Sequence, residues 1–257
     1  MKPIENVSQF LSAIKGDFNV RQLKDASTGA FFRGSSDGSL DLVPSLYRRA
    51  NAVDLEREMV RAFINNSSHL VDKEPHNLIE WLFLMQHHGL PTRLLDWSES
   101  ALIALFFAVE SHEDEKSKSK DAVVWVLNPW LLNRASFRSI DILPSSNSSV
   151  MRGYEVDPFS DEINRRIKEK NPIAIRTRRN SQRSLNQKGM VTIHGSSQEA
   201  LNSFCQKRKP KCLSAIPISA PHKRDIFYEL IRSGITYEVI YPGLDGLSKA
   251  IIQQYLR

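Results

Sequence analysis

Apolar residues along the chain change period several times, and each change predicts an element. Val7, Phe10, Leu11 and Ile14 recur at i, i+3, i+4 and i+7, which predicts an amphipathic helix over 5–15. Ala30–Phe32 is a short apolar run ending at Arg33-Gly34, the pattern of a strand end. Asp54 is placed to cap a helix running to about Ser67, with Leu55, Met59 and Phe63 on one face. A heavily apolar helix is expected over 77–88, stopped by Gly89 and Pro91. A third is expected over 98–110, apolar nearly all round and therefore buried on most sides. Residues 111–121 are polar and low in complexity, which suits a surface loop. Ala122–Leu127, Met190–His194, Ser214–Ile218 and Tyr237–Tyr241 read as strands. Residues 133–152 are Ser-rich and weakly patterned. Asp225 is placed to cap a helix closed by Gly234, and a last helix is expected over 244–256.

Helices and strands are mixed without a regular βαβ period, so the expected fold class is α+β: one domain over 1–257, a mixed sheet with flanking helices. Its helical part covers about 1–110 and its strand-richer part about 120–257. At 257 residues and 41% hydrophobic, the chain can bury a sizeable core. Its longest apolar run, Ala101–Val109, is too short for a bilayer, and MKPIENVSQF has no signal-peptide core. A cytoplasmic protein with no membrane partner is expected. The two cysteines, Cys205 and Cys212, flank QKRKPK without further ligands nearby, so no metal is expected.

The net charge of +6 is concentrated. Residues 164–188 hold nine basic side chains against one acid, Glu169, a net +8. Such a segment attracts polyanions through counterion release, and an acidic, antitoxin-like protein partner would satisfy the same field. A solvated segment that keeps the protein dispersed has the same composition.

Three polar clusters could carry chemistry. In FFRGSS (31–36), Arg33 can fork a phosphate or carboxylate while Gly34 and Ser35 let backbone and hydroxyl approach. In MQHHGLPTRLLDW (85–97), His87 and His88 end one helix, and Asp96 stands where the next would be N-capped, with Glu99 completing a capping box. Arg93 lies among residues that want burial, so it needs a partner, for which Asp96 is the near candidate. The amides opening the 98–110 helix add an anion site. In NQKGMVTIHG (186–195), Gln187 and Lys188 precede a short strand bearing Thr192 and His194. No P-loop, GxGxxG, GxSxG or HExxH motif is present.

Taken together, FFRGSS, LVPSLYRR (42–49), the block 86–110, AVVWVLNP (122–129), NQKGMVTIHG and GITYEVIYPGLDGLSKAI (234–251) resemble the FRG domain family in order and approximate spacing. Phe32-Arg33-Gly34 is the eponymous triplet. Met190 stands where the family often has an aromatic, and Met85 where it usually has alanine. The family is bacterial, often in toxin or phage-defence settings, and is distantly similar to ADP-ribosyltransferases. The resemblance implies an ADP-ribosyltransferase-like fold and NAD as substrate. It places Arg33, Gly34, Ser35, His88, Thr92, Arg93 and Gln187 around the NAD. Asp96 then supplies the negative charge facing a cation-like transition state, with Glu99 as the other candidate, because no E-x-E or Q-x-E pair marks a late strand.

Three functions fit this reading. One is transfer of ADP-ribose to a nucleic acid or protein docked on 164–188. Another is phosphodiester chemistry without NAD, His87 or His88 acting as general acid–base and Arg93 steadying phosphate. The third is a module that binds a nucleotide without chemistry.

Overall fold

In the computed structural model, all residues are described except 1, 24–28, 68, 72, 138–142, 145–147, 160–166, 177–184 and 257, with backbone only for 143, 144, 148 and 149. Seven strands form one sheet: β1 Phe31–Ser35, β2 Leu94–Ser98, β3 Ala122–Leu127, β4 Leu143–Pro144, β5 Ile173–Arg176, β6 Gly189–Ile193 and β7 Leu213–Ile218. Their order is β4-β5-β6-β2-β1-β3-β7. Every pairing is antiparallel except the two-residue β4 against β5. The expected α+β class with a mixed sheet is what the chain adopts.

The helices are α1 Val7–Gly16, α2 Phe18–Arg21, α3 Glu56–Ser67, α4 Leu78–His87, α5 Ala101–Val109, α6 Pro129–Phe137, α7 Ser148–Met151, α8 Leu201–Gln206, α9 Lys223–Arg232, α10 Tyr237–Ile240 and α11 Leu244–Tyr255. Among the described residues no helix is long and apolar enough to cross a membrane.

Side-chain alternation along the strands divides the core. Phe32, Val124, Val126, Ile216 and Ile218 pack under α5 and α9. On the same face, Leu94, Val191, Ile193, Ile173 and Ile175 pack under Ile79, Leu82 and Met85 of α4. The opposite face sets Phe31, Leu95, Trp97 and Leu127 against Leu132 of α6 and Leu201 and Phe204 of α8. The boundary between the two clusters on the first face falls where β1 meets β2. Gly34 allows α5 to lie on β1: a Cβ there would sit 1.9 Å from the Ala104 carbonyl oxygen and 2.6 Å from the Ala108 nitrogen.

Four expectations need correction. The segment Leu94–Ser98 is a strand, so α5 opens only at Ala101 and Asp96 does not cap it. With it the N-terminal part supplies two central strands and is not simply helical. Tyr237–Tyr241 is helical: Thr236 accepts the Val239 amide, and Ile240, buried, completes an i, i+3 spacing from Tyr237. Its aromatic and β-branched residues are what suggest a strand in the sequence. α9 begins at Lys223, which puts Asp225 in its first turn and not at its cap. The start of the weakly patterned 133–152 stretch lies in α6, where the Asn133 amide bridges the β5 backbone at Ala174 with bonds of 2.7 and 2.9 Å.

Candidate functional site

The site forms where β1 and β2 part. Five residue pairs join β1 to β3 and five join β2 to β6, but β1 and β2 share only Phe32↔Ser98. His194 donates its amide to Arg93 O and Glu99 donates to Lys188 O. In an antiparallel ladder this means that odd-numbered residues of β2 bond to β6, and even-numbered ones face β1. Asp96 therefore turns its carbonyl toward a β1 that has moved away. Arg33 Nη1 donates to that carbonyl at 2.6 Å, so a guanidinium takes the place of a ladder bond. Burial, foremost, lowers the Arg33 pKa; Asp96 pulls it up and the neighbouring Arg48 pushes it down. Arginine stays charged regardless.

The Asp96 side chain is exposed on the α4 face of the sheet. Its Oδ2 accepts from Gln86 Nε2 at 2.6 Å. Gln86 Oε1 in turn accepts from the hydroxyl of Thr92, which is fully buried. Asp96 thus presents a carboxylate fixed on a strand and held from one side by an amide. The Arg33 guanidinium reaches the Asp96 backbone and not its carboxylate: Arg33 leaves β1 on the face of Phe31, and Asp96 leaves β2 on the face of Leu94. An exposed carboxylate on a strand can bind a cationic or hydroxyl-rich group and stabilise positive charge developing near it.

Arg93 pairs with Glu56 of α3, not with Asp96. Its Nε donates to Glu56 Oε1 at 2.8 Å, its Nη2 meets the other carboxylate oxygen, and both side chains are almost fully buried. Burial lowers the Arg93 pKa to about 10. Beside it, Tyr47 donates to Gly195 O at 2.5 Å and packs edge-on against His194. Burial, with Arg93 adding to it, depresses the His194 pKa to about 3. This cluster braces the ends of β2 and β6 from within and does not open onto the cleft.

The other expected residues scatter. His87 and His88 are exposed, with rings edge-on at 5.1 Å at the end of α4. Ser35 Oγ donates to Asp37 O, and Gln187 Nε2 donates to Ile240 O at 3.0 Å, away from Arg33. Glu99 is half-buried, its amide spent on Lys188. Of the basic segment, residues 164–166 and 177–184, with Arg165, Arg166, Arg178, Arg179 and Arg183, lie outside the described residues. Lys168, Lys170, Arg176 and Lys188 are described and exposed or half-buried. The structure therefore brings Arg33 to the backbone of Asp96, and joins the Asp96 side chain through Gln86 to Thr92.

Gln86, Glu56 and Arg48 do not stand out in the sequence. Gln86 has a signal: Ile79, Leu82 and Gln86 fall at i, i+3 and i+7, so an amide continues the buried stripe of α4. Glu56 offers none beyond being an acid in a first helical turn, where acids are ordinary.

The family model of the FRG domain matches residues 28–117. That span holds β1, β2, α4 and α5, with Arg33, Gln86, Thr92 and Asp96. No curated protein and no solved structure matches the chain.

Proposed function

We propose, from the match of residues 28–117 to the FRG domain model, that the protein is an ADP-ribosyltransferase-like enzyme that binds NAD across the parting of β1 and β2. One observation carries the reading. An exposed carboxylate, Asp96, is held on a strand by Gln86, and the guanidinium of Arg33 is anchored at the same residue by its 2.6 Å bond to the Asp96 backbone carbonyl. Arg33 keeps donors for the diphosphate of the dinucleotide, and Arg48 lies near enough to add to its field. Asp96 faces the ribose that loses nicotinamide. The C1′–N bond breaks and nicotinamide leaves with the electron pair. Asp96 offsets the positive charge spread over C1′ and the ring oxygen, and a nucleophile of the acceptor bonds to C1′ and gives up its proton. The acceptor is a nucleic acid or protein held on the basic segment 164–188. A toxin or antiviral defence role is consistent with that chemistry, and growth arrest on overexpression would report it.

The test is incubation with NAD labelled in the adenylate half, together with RNA, DNA or cell lysate. Label should reach an acceptor with the native protein. Arg33→Ala and Asp96→Asn should abolish transfer while melting as the native protein does. A module that only binds nucleotides would still lose ligand in Arg33→Ala but keep it in Asp96→Asn, and would transfer no label.

A further inference from the structure

Resting on that reading of the cleft, we infer that Gln86 is the positioning residue for Asp96 and that Thr92 sets the direction in which the Gln86 amide points. The direction is fixed from both ends of a hydrogen-bond chain. At the inner end, Leu94 donates its backbone N–H to Thr92 Oγ1 at 3.3 Å. A backbone amide can only donate, so the Thr92 hydroxyl proton is left to donate onward to Gln86 Oε1. At the outer end the ionised Asp96 carboxylate can only accept, and it takes Gln86 Nε2 at 2.6 Å. The amide reversed would set oxygen against oxygen at the Asp96 end and leave the Thr92 proton without an acceptor.

The chain starts from a rigid base. Thr92 is fully buried. Its carbonyl accepts from Leu46 N at 3.1 Å, and its own amide donates to Ser45 Oγ at 3.2 Å. Gln86 sits in the last turn of α4, whose C-terminal cap bonds His88 N to Leu84 O. The relay therefore ties the end of α4 to the middle of β2. It engages one carboxylate oxygen, Oδ2, and among the described residues Oδ1 accepts no hydrogen bond. Oδ1 is the atom that faces the ribose, and Gln86 keeps it turned there. A loose carboxylate would share its time among rotamers, and misplacement of about 1 Å can cost up to about a hundred-fold in rate.

The experiment combines a reading that needs no NAD with one that does. In the protein labelled with 15N at glutamine side chains, the Gln86 amide should show one proton shifted downfield and protected from exchange. Asp96→Ala and Thr92→Val should each remove that signature, and Thr92→Ser should restore it. In the labelled-NAD assay, Gln86→Leu and Thr92→Val should lower kcat about ten- to a hundred-fold with KM for NAD little changed. The double variant should fall no further than either single one, because both act on one relay. Thr92→Ser should recover turnover, which separates orientation from packing. Gln86 amide signals indifferent to Asp96→Ala and Thr92→Val overturn the relay whether or not any transfer is seen. Additive losses in the double variant overturn its positioning role. A protein with the amide signature but no label transfer keeps the relay and refutes the transferase reading.

Discussion

His194 and Arg93 show how burial decides what a polar side chain can do. Both lie within stretches rich in candidate chemistry, yet Arg93 spends its charge on Glu56, and His194 is held neutral with its pKa depressed to about 3. Burial and the Arg93 charge both disfavour protonation there. In the unfolded chain the imidazole takes a proton near its ordinary value of 6.5. Between about 3 and 6.5 the unfolded chain binds one proton more than the fold, so stability rises with pH in that window. The contribution is complete above 6.5 and is lost as pH falls toward 3, with a slope of about 1.4 kcal/mol per pH unit. His194→Gln should flatten the pH dependence by roughly that slope, measured by urea unfolding between about pH 4.5 and 6.5. Asp37, held near 2 by Lys120 and Ser39, destabilises the fold at the lowest pH in both proteins, so the difference between them isolates His194. Equal slopes in the two proteins would place a water or acceptor on the ring and remove the cause. At this scale Arg33 and Asp96 are legible in the sequence, but the partner of Arg93 is not. That partner is 37 residues upstream, on another element, and nothing local distinguishes Glu56 from any other acid in a first turn.

Among elements, the helices legible in the sequence are those with a 3.6-residue stripe and a marked end. α1, α4 and α11 fall where the pattern puts them, and Gly89 and Gly234 close their helices with φ of +86° and +85°. β2 is hidden because Leu94–Ser98 is only five residues long and carries Asp96 three residues before Glu99, the pattern of a helix N-terminus just ahead of α5. Gly34 is legible as a residue but not as a packing device. In FFRGSS it reads as room for an anion, whereas its missing Cβ makes room for α5. The nearest atoms are backbone, at 1.9 and 2.6 Å, and cannot swing aside. Gly34→Ala should therefore lift α5 from β1 and destabilise the fold by about 1–3 kcal/mol, the scale of overpacking a tight core. Denaturant titration measures this. A variant of native stability that loses only nucleotide binding would return Gly34 to the anion role.

At the scale of the whole molecule, the sheet order relates two features far apart in sequence. β5 and β2 are separated by β6 alone, so Asp96 stands two ladder steps, about 10 Å, from β5. Lys168 and Lys170 precede β5, Arg176 ends it, and Lys188 precedes β6. A polyanion drawn to these cations would lie along the side of the sheet that leads to the cleft. Excess positive charge concentrated on one segment acts mainly through the release of counterions, so its signature is salt dependence and not affinity at a single ionic strength. Binding of a single-stranded oligonucleotide, followed by fluorescence anisotropy, should weaken as salt rises, with log K falling linearly against log[salt]. Replacing Lys168 and Lys170 together by glutamate should shallow the slope by about 1.4, because each phosphate that a lysine neutralises on a single strand adds roughly 0.7. The same variant should leave Arg33 and Asp96 undisturbed, because neither lysine touches the relay or the β1–β2 parting. Transfer to a nucleic-acid acceptor should then drop through KM for that acceptor, with NAD cleavage in its absence unchanged. Oligonucleotide binding with an unaltered salt slope would exclude these lysines from the docking surface, and binding indifferent to salt would direct the search for the acceptor to proteins.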